Sequence, residues 1–508
     1  MQFVQFYFTK EIDPKGSELK YKDDNQTPAD LVNKPASFNT FLMGPYLLDF
    51  EKNTGQLVNL KLNDYYAFPD KKNNITTLFK ELSQEQVLYS DLLFISKENN
   101  QASKVEYGKI TFLYNEKDQT LIVRKEAANV SVEDIYSVDP QRPYSLLKNI
   151  MIKSQDHEKA YLYTEFKNTR FSLIPGTEEG SRMFQGASFH TDNLKYKKIA
   201  FKQFATNSFS QEADKNAWFG ISQRYFVSAI APEYPGKFYT KFLANNQSCI
   251  AGHLSQELSL KAQEPLVLKQ RIYSGPEQKE YLQSFAPALE FVVDYGFFWP
   301  ICSLILTVLV YINGFINNWG LSIILGTIAI RLLLIFLTIK QSHNLKKMQA
   351  IQPKLEAIKK NYNGDQAGFT QEVLAIYKAE NLNPLTSLLS TIMAPIIQIP
   401  IFIAFYSVLM ETVALRQAPF FGWIVDLSVK DPYYIIPVLV AGTAYVQQLI
   451  SPKPQDEAMA FFMKMMPILL GLFCIQLPSG LGCYWATNNI ISIIHTWKMQ
   501  SGTITRSA

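Results

Sequence analysis

Arg331 stands alone in a long apolar stretch. No other charged residue occurs between Asp294 and Lys340, and residues 320–340 are enough to cross a bilayer core of ~30 Å as a helix. An arginine near mid-membrane costs on the order of 3 kcal/mol by insertion scales, and it cannot shed its proton. A fixed positive charge at that depth can hold an acidic or polar group partway across hydrocarbon. That is binding chemistry, with no bond made. Thr327 lies one helical turn earlier on the same face, so a polar stripe in a wet, positively charged cavity is expected. A structural ion pair would need an acid at similar depth, and the other apolar runs contain none. No catalytic constellation appears elsewhere. His157, His190 and His253 are scattered, and Asp156-His157-Glu158 reads as a solvated loop.

Composition bounds the setting. The 508 residues carry a formal net charge of +4 without a basic tract of the kind that grips nucleic acid. Cys249, Cys302, Cys474 and Cys483 form no CxxC pair, so neither a disulfide framework nor a metal site is expected. No cofactor is implied. A near-zero mean hydropathy averages two unlike halves. Roughly the first 290 residues are polar and mixed in charge; the remainder holds nearly all the long apolar runs. The opening MQFVQFYF is too short for a cleavable signal and lacks a basic start.

The elements that position Arg331 follow from the pattern. From Leu31 to about Ala288, short alternating segments such as 109–116, 159–166, 237–243 and 266–275 predict strands of a β-sandwich or barrel. Residues 297–316 are apolar, long enough to read as a further transmembrane helix, and end at Asn317-Asn318-Trp319-Gly320. Five spans are predicted at about 320–340, 385–410, 432–451, 461–477 and 480–497, the last two joined by the tight turn Pro478-Ser479-Gly480. Between the first two, residues 341–383 read as a polar hairpin of two amphipathic helices broken at Asn363-Gly364-Asp365. Seven lysines lie from Lys340 to Asn383, against only Arg416 and Lys430 between the second and third spans. The positive-inside rule therefore makes the hairpin cytoplasmic.

The chain resembles, over nearly its whole length and most densely from Val293 onward, the YidC membrane protein insertases, bacterial relatives of the mitochondrial and chloroplast insertases. The likeness rests on VDYG (293–296), NWG (318–320), Arg331, IQPKLEAIK (351–359), YKAENLNP (377–384) and IIQIPIF (396–402). It continues in LRQAPF (415–420), DLSVKDPYYIIP (426–437) and PSGLGCYW (478–485). The resemblance implies a multi-domain protein of a Gram-negative inner membrane. Residues 1–290 would form a periplasmic β-supersandwich, 291–318 an interfacial helix and linker, 319–500 the α-helical five-span core with its cytoplasmic hairpin, and 501–508 a short cytoplasmic tail. Gram-negative members also carry a membrane anchor ahead of the β-domain, and the given chain shows none.

On that resemblance Arg331 is the groove arginine, Thr327 its companion, and Tyr484-Trp485 occupy the place where the family usually has two tyrosines. Gln398, Gln447, Gln476 and Asn488 complete the candidate substrate groove. Lys346, Lys347, Lys354, Lys359 and Lys360 form a docking surface on the hairpin. The implied function is insertion and folding of inner-membrane proteins, alone or with the Sec translocon. Nascent membrane proteins, lipid and, weakly or through the hairpin, the ribosome would be partners. A polytopic small-solute or ion transporter is the alternative, disfavoured because the five spans show no internal repeat.

Overall fold

The computed structural model describes residues 38–66, 75–79, 88–95, 102–334 and 351–504, with gaps at 157, 169–183, 185, 205, 207, 224, 244–247, 294, 352, 355–356, 359–365, 380–383 and 451–456. It divides into two units, Met1–Val293 and Asp294–Ala508. Lys346, Lys347, Lys359 and Lys360, the hairpin turn and the far end of the first predicted span lie outside the described residues.

The first unit is built from antiparallel strands, because its sequence alternates with a period of two. In the strand Val130–Val138 the residues Val130, Val132 and Tyr136 point inward while their neighbours stay half-exposed. Among the described residues the strands form an eleven-stranded and a nine-stranded sheet. Leu92 and Leu162 of one sheet share a core with Val132, Ile150 and Leu268 of the other, so the two pack face to face as a sandwich. The segments expected as strands are strands: Lys109–Asn115, Glu158–Asn168, Gly236–Leu243 and Leu266–Pro276. A short helix α1 (Lys279–Phe285) lays Leu282 and Phe285 against Trp218 and Tyr273 of the nine-stranded sheet. The Trp218 indole donates to the Pro287 carbonyl at 2.7 Å.

One buried histidine makes this unit acid-sensitive. His253 lies edge-on to Tyr234 and Phe238, against Gly236, where a Cβ would fall 2.3 Å from its ring. Neither ring nitrogen has a hydrogen-bond partner among the described residues. Burial pushes its pKa down to about 3. The unfolded chain therefore takes up a proton near pH ~6.5 that the folded chain refuses, so stability falls as pH drops from there. Opening of this unit in the full chain, followed by pulse proteolysis in urea, should become easier by about 2 kcal/mol between pH 7 and 5. His253→Leu should flatten that dependence; an unchanged slope would assign it to another group.

The second unit is helical. Among the described residues it contains α2 (Trp299–Ile316), α3 (Trp319–Leu333), α4 (Gln366–Ala379), α5 (Pro384–Glu411), α6 (Ile435–Ile450), α7 (Glu457–Cys474) and α8 (Ser479–Ile504). Asn317 ends α2 with a left-handed φ of 53°, and the Asn318 side chain caps α3 by accepting from the Leu321 N–H at 3.0 Å. Two contacts fix how α8 lies on α3: position 480 meets Ile323, and Asn488 meets Arg331. Both pairs are 157 positions apart, so the helices run parallel and in constant register. On the other side, position 482 meets Ile436 and Asn489 meets Thr443, both 46 apart. Helices α3, α6 and α8 thus point the same way, and α8 lies between the other two. Helix α5 runs opposite to α8, as Phe405 stacks on Tyr484 while Phe402 meets Trp485.

Helix α2 buries Cys302, Ile305 and Leu309 in the core shared with α3 and α5. Leu304, Val310, Tyr311 and Phe315 stay exposed. By length and composition Gly296–Ile316 is the one helix among the described residues able to cross a membrane unaided. The described part of α6, 16 residues, spans ~24 Å.

Candidate functional site

The constant register sets the candidate residues in levels. Arg331 and Asn488 share one level, and the Arg331 Nε–H donates to Asn488 Oδ1. Thr327 and Tyr484, four residues earlier on their helices, share the level next to it on the same faces. Tyr484 is buried, its ring 4.2 Å from that of Phe405, and its hydroxyl accepts from Gln398 Nε2 at 3.1 Å. Four side chains from three helices therefore make one polar line: Arg331, Asn488, Tyr484, Gln398. Among the described residues no carboxylate lies within ion-pair distance of Arg331, so its charge faces a neutral amide and stays uncancelled.

The remaining candidates fall elsewhere. Thr327 is buried and donates to the Ile323 carbonyl at 2.6 Å, so its hydroxyl is satisfied within its own helix. Trp485 packs its ring on Phe402 and Phe473 and gives the line an apolar flank. Gln447 is half-buried on α6, level with residue 493 and so beyond Asn488. Gln476 is a correction. It sits exposed in the turn between α7 and α8, about 13 Å along α8 from Asn488. The helix ends at Cys474, four residues before Pro478, and carries Gln476 out of the line. Lys354 is exposed.

The segment 412–434 between α5 and α6 closes one end of the line. Its Leu427 and Val429 carbonyls accept from the Gly480 and Ser479 N–H groups at 3.0 and 2.7 Å, occupying the free donors at the start of α8. Leu415, Ala418, Ile424 and Leu427 join Leu477 and Leu481 in the same core. Two buried carboxylates brace the segment. Asp431 accepts from Trp423 Nε1, Tyr433 N and Ile436 N at 2.9, 3.0 and 2.7 Å. Asp426 accepts from Ser428 N and Oγ at 2.8 and 2.7 Å. Neither was singled out from the sequence, although Asp-x-Ser and Asp-Pro are turn and cap signals. Asn489, also missed, ties α8 to α6 through Thr443 Oγ1 at 3.1 Å.

A polar line sealed by apolar packing at one end, with an uncancelled cation along it, can hold an acidic or polar segment without reacting with it. Around it, Val438, Leu449, Phe461, Ile468 and Leu472 are exposed, an apolar surface of the kind that faces lipid or a partner.

Residues 46–308 match the family described as YidC periplasmic domain, and residues 311–506 match the 60Kd inner membrane protein family. A protein named membrane protein insertase YidC from Legionella pneumophila (strain Paris) is 33% identical over 467 residues, covering 89% of this chain and 82% of its own length. One of the same name from Methylobacillus flagellatus is 38% identical over 332 residues, 64% of this chain and 59% of its own. A crystal structure of an active YidC insertase with its first transmembrane domain resolved aligns over 91% of this chain and 93% of its own, at 16% identity and a TM-score of 0.39.

Proposed function

The chain belongs to the YidC family of membrane protein insertases, and we propose that Arg331, Asn488, Tyr484 and Gln398 line the groove through which it moves the polar tails of nascent membrane proteins. It acts in the inner membrane, with a β-rich periplasmic domain followed by a helical region. One observation carries the groove reading: a half-buried arginine whose partner is a neutral amide. The cost of crossing hydrocarbon is desolvation of the tail's polar groups. A wet line with one fixed cation reduces that cost, and short last two spans would thin what remains to be crossed. The apolar flanks then release the substrate helix sideways into lipid. No covalent bond changes.

In this reading the core has five spans, beginning with α3, α5, α6, α7 and α8. Segment 412–434 lies on the periplasmic side, and the 341–383 hairpin and the tail on the cytoplasmic side. The shared direction of α3, α6 and α8 supports it. Helix α2 lies along the outer surface: Cys302 meets Ala404 and Leu309 meets Gly326, each about 10 Å from the periplasmic end of its partner helix. Equal depth at two points on α2 supports lying over crossing. The hairpin lysines, Lys354 among them, are where we place contact with the ribosome, and the Sec translocon is a second partner.

Protease added to spheroplasts should digest residues up to about 290 and spare 341–383. Protection of the β-domain would instead make α2 a span. Purified chain in liposomes should insert a single-span substrate with a short acidic tail; liposomes that insert it equally well without the chain would refute the groove.

A further inference from the structure

The segment that seals the groove holds large apolar side chains outward. Phe421, Tyr433 and Tyr434 are 76%, 67% and 53% exposed, and Val425 and Val429 stand out beside them. Exposed apolar residues are ordinary when they occur singly, but here they gather in one short segment. Nor is that segment loose. Asp431 accepts from the N–H groups of Tyr433 and Ile436, and Asp426 from that of Ser428, so a fixed backbone presents the rings.

The helix register gives their depth. The Asn318 side chain donates to the Phe420 carbonyl at 3.1 Å, and the Phe420 ring covers Gly320, which puts Phe421 beside the start of α3. Val429 accepts from Ser479, level with residue 322 of α3, and Tyr434 stands level with residue 323. The exposed rings therefore share a band about 12 to 20 Å along α3 from Arg331. Half of a ~30 Å hydrocarbon core is about 15 Å. With Arg331 near the middle, the band falls on the outer edge of the hydrocarbon. Tyrosine suits that edge, apolar in body and polar at its tip. The exposed surface also runs on from Tyr434 along α6 through Val438 to Leu449, so the band is the rim of the apolar surface described above. We propose that the segment 412–434 anchors the sealed end of the groove in the outer lipid headgroup layer through Phe421, Tyr433 and Tyr434, and thereby sets the depth of Arg331. This rests on the insertase reading above, which places the segment on the periplasmic side. The occupant is lipid, and the three rings are positioning residues.

Depth is measured on the full-length chain in phospholipid liposomes, with a fluorophore on Phe421→Cys or Tyr433→Cys. Cys249, Cys302, Cys474 and Cys483 are buried, and the native chain supplies the labelling blank. Nitroxides on the lipid headgroup and on the upper acyl chain should quench the label more than a nitroxide at the chain end, and iodide should quench it little. Quenching by iodide as for free dye would overturn the anchor. So would shielding from iodide without quenching by any lipid nitroxide, since protein would then cover the rings. A second arm combines Phe421→Ser, Tyr433→Ser and Tyr434→Asn, asparagine suiting the left-handed φ of 58° at that position. The triple variant should insert acidic-tailed substrates roughly three- to tenfold more slowly, because a groove held at the wrong depth meets the cost of mismatch. Phe421→Trp with Tyr433→Trp should keep the native rate. Because the rings are exposed, the melting temperature of the triple variant in detergent should stay native. A fall there would assign the rings to packing and overturn the anchor, as would a native insertion rate in the triple variant. If the native chain inserted no substrate, the insertase reading would fall, while the quenching pattern would still decide whether the rings lie in the headgroup layer.

Discussion

Replacing Arg331 by alanine should slow insertion of acidic-tailed substrates by about ten- to a hundredfold, the loss of one charge-assisted hydrogen bond worth roughly 1.5–3 kcal/mol. Neutral tails should be slowed far less. The reason lies in its partner. Arg331 donates from Nε to the amide of Asn488, and an amide leaves the guanidinium its full charge. Had a carboxylate stood there, the site would be neutral and blind to tail charge. Arg331→Lys should keep most of the acidic-tail rate, because an ammonium supplies the cation and Asn488 does not require a planar fork. Paired substrates differing only in tail charge, with a melting curve for each variant, measure this. Equal losses on both tails, together with lowered melting temperatures for lysine and alanine alike, would make Arg331 a structural brace.

What was legible in the sequence was whatever one stretch encodes by itself. Charge-free runs announce α5 and α6, and an apolar run broken by a single arginine announces α3, because stretches that long and that apolar read as helices able to meet lipid. Alternation in the sequence announces the strand Glu158–Asn168, although both of its faces are covered, Ala160 and Leu162 entering one core and Tyr161 and Tyr163 another. Arg331 was conspicuous through its cost. Its bond to Asn488 was not, since that depends on the register of two helices 157 positions apart. Gln476 went wrong for a local reason: an apolar run shows no internal sign that its helix stops at Cys474. Least visible of all was a charged cluster inside the β-domain, which comes from three strands that read as ordinary alternating segments.

That cluster carries the largest expected loss of stability. Lys125, Asp134 and Lys148 each occupy an inward position on neighbouring strands of the nine-stranded sheet and are fully buried. Lys125 Nζ lies 3.0 Å from Asp134 Oδ2, and Lys148 Nζ lies 3.4 Å from Oδ1. Burial alone would raise the Asp134 pKa, but the two lysines outweigh it and hold the carboxyl below its ordinary range. Burial is also the main cause that pulls Lys148 down from its own. Asp134→Asn keeps the shape and leaves two buried ammonium groups with no anion between them. Removing one partner of a buried pair costs about 3–5 kcal/mol, and pulse proteolysis of the full chain in urea should report a loss of that size at pH 7. Replacing all three together, by Lys125→Met, Asp134→Leu and Lys148→Met, should fall within about 2 kcal/mol of native or exceed it. The pH dependence separates this cluster from His253. Because the folded pKa of Asp134 lies below the unfolded value of ~3.9, its contribution is present at neutral pH and disappears only as acid takes the pH below that value. The His253 effect begins near pH ~6.5. Asp134→Asn should therefore abolish the lower limb alone. Its penalty should also shrink in alkaline solution, because burial makes Lys148 shed its proton below the ordinary lysine range and so relieves the repulsion. A penalty that stayed constant from pH 7 to 10 would show that the lysines do not repel each other, and that Asp134 acts through packing alone.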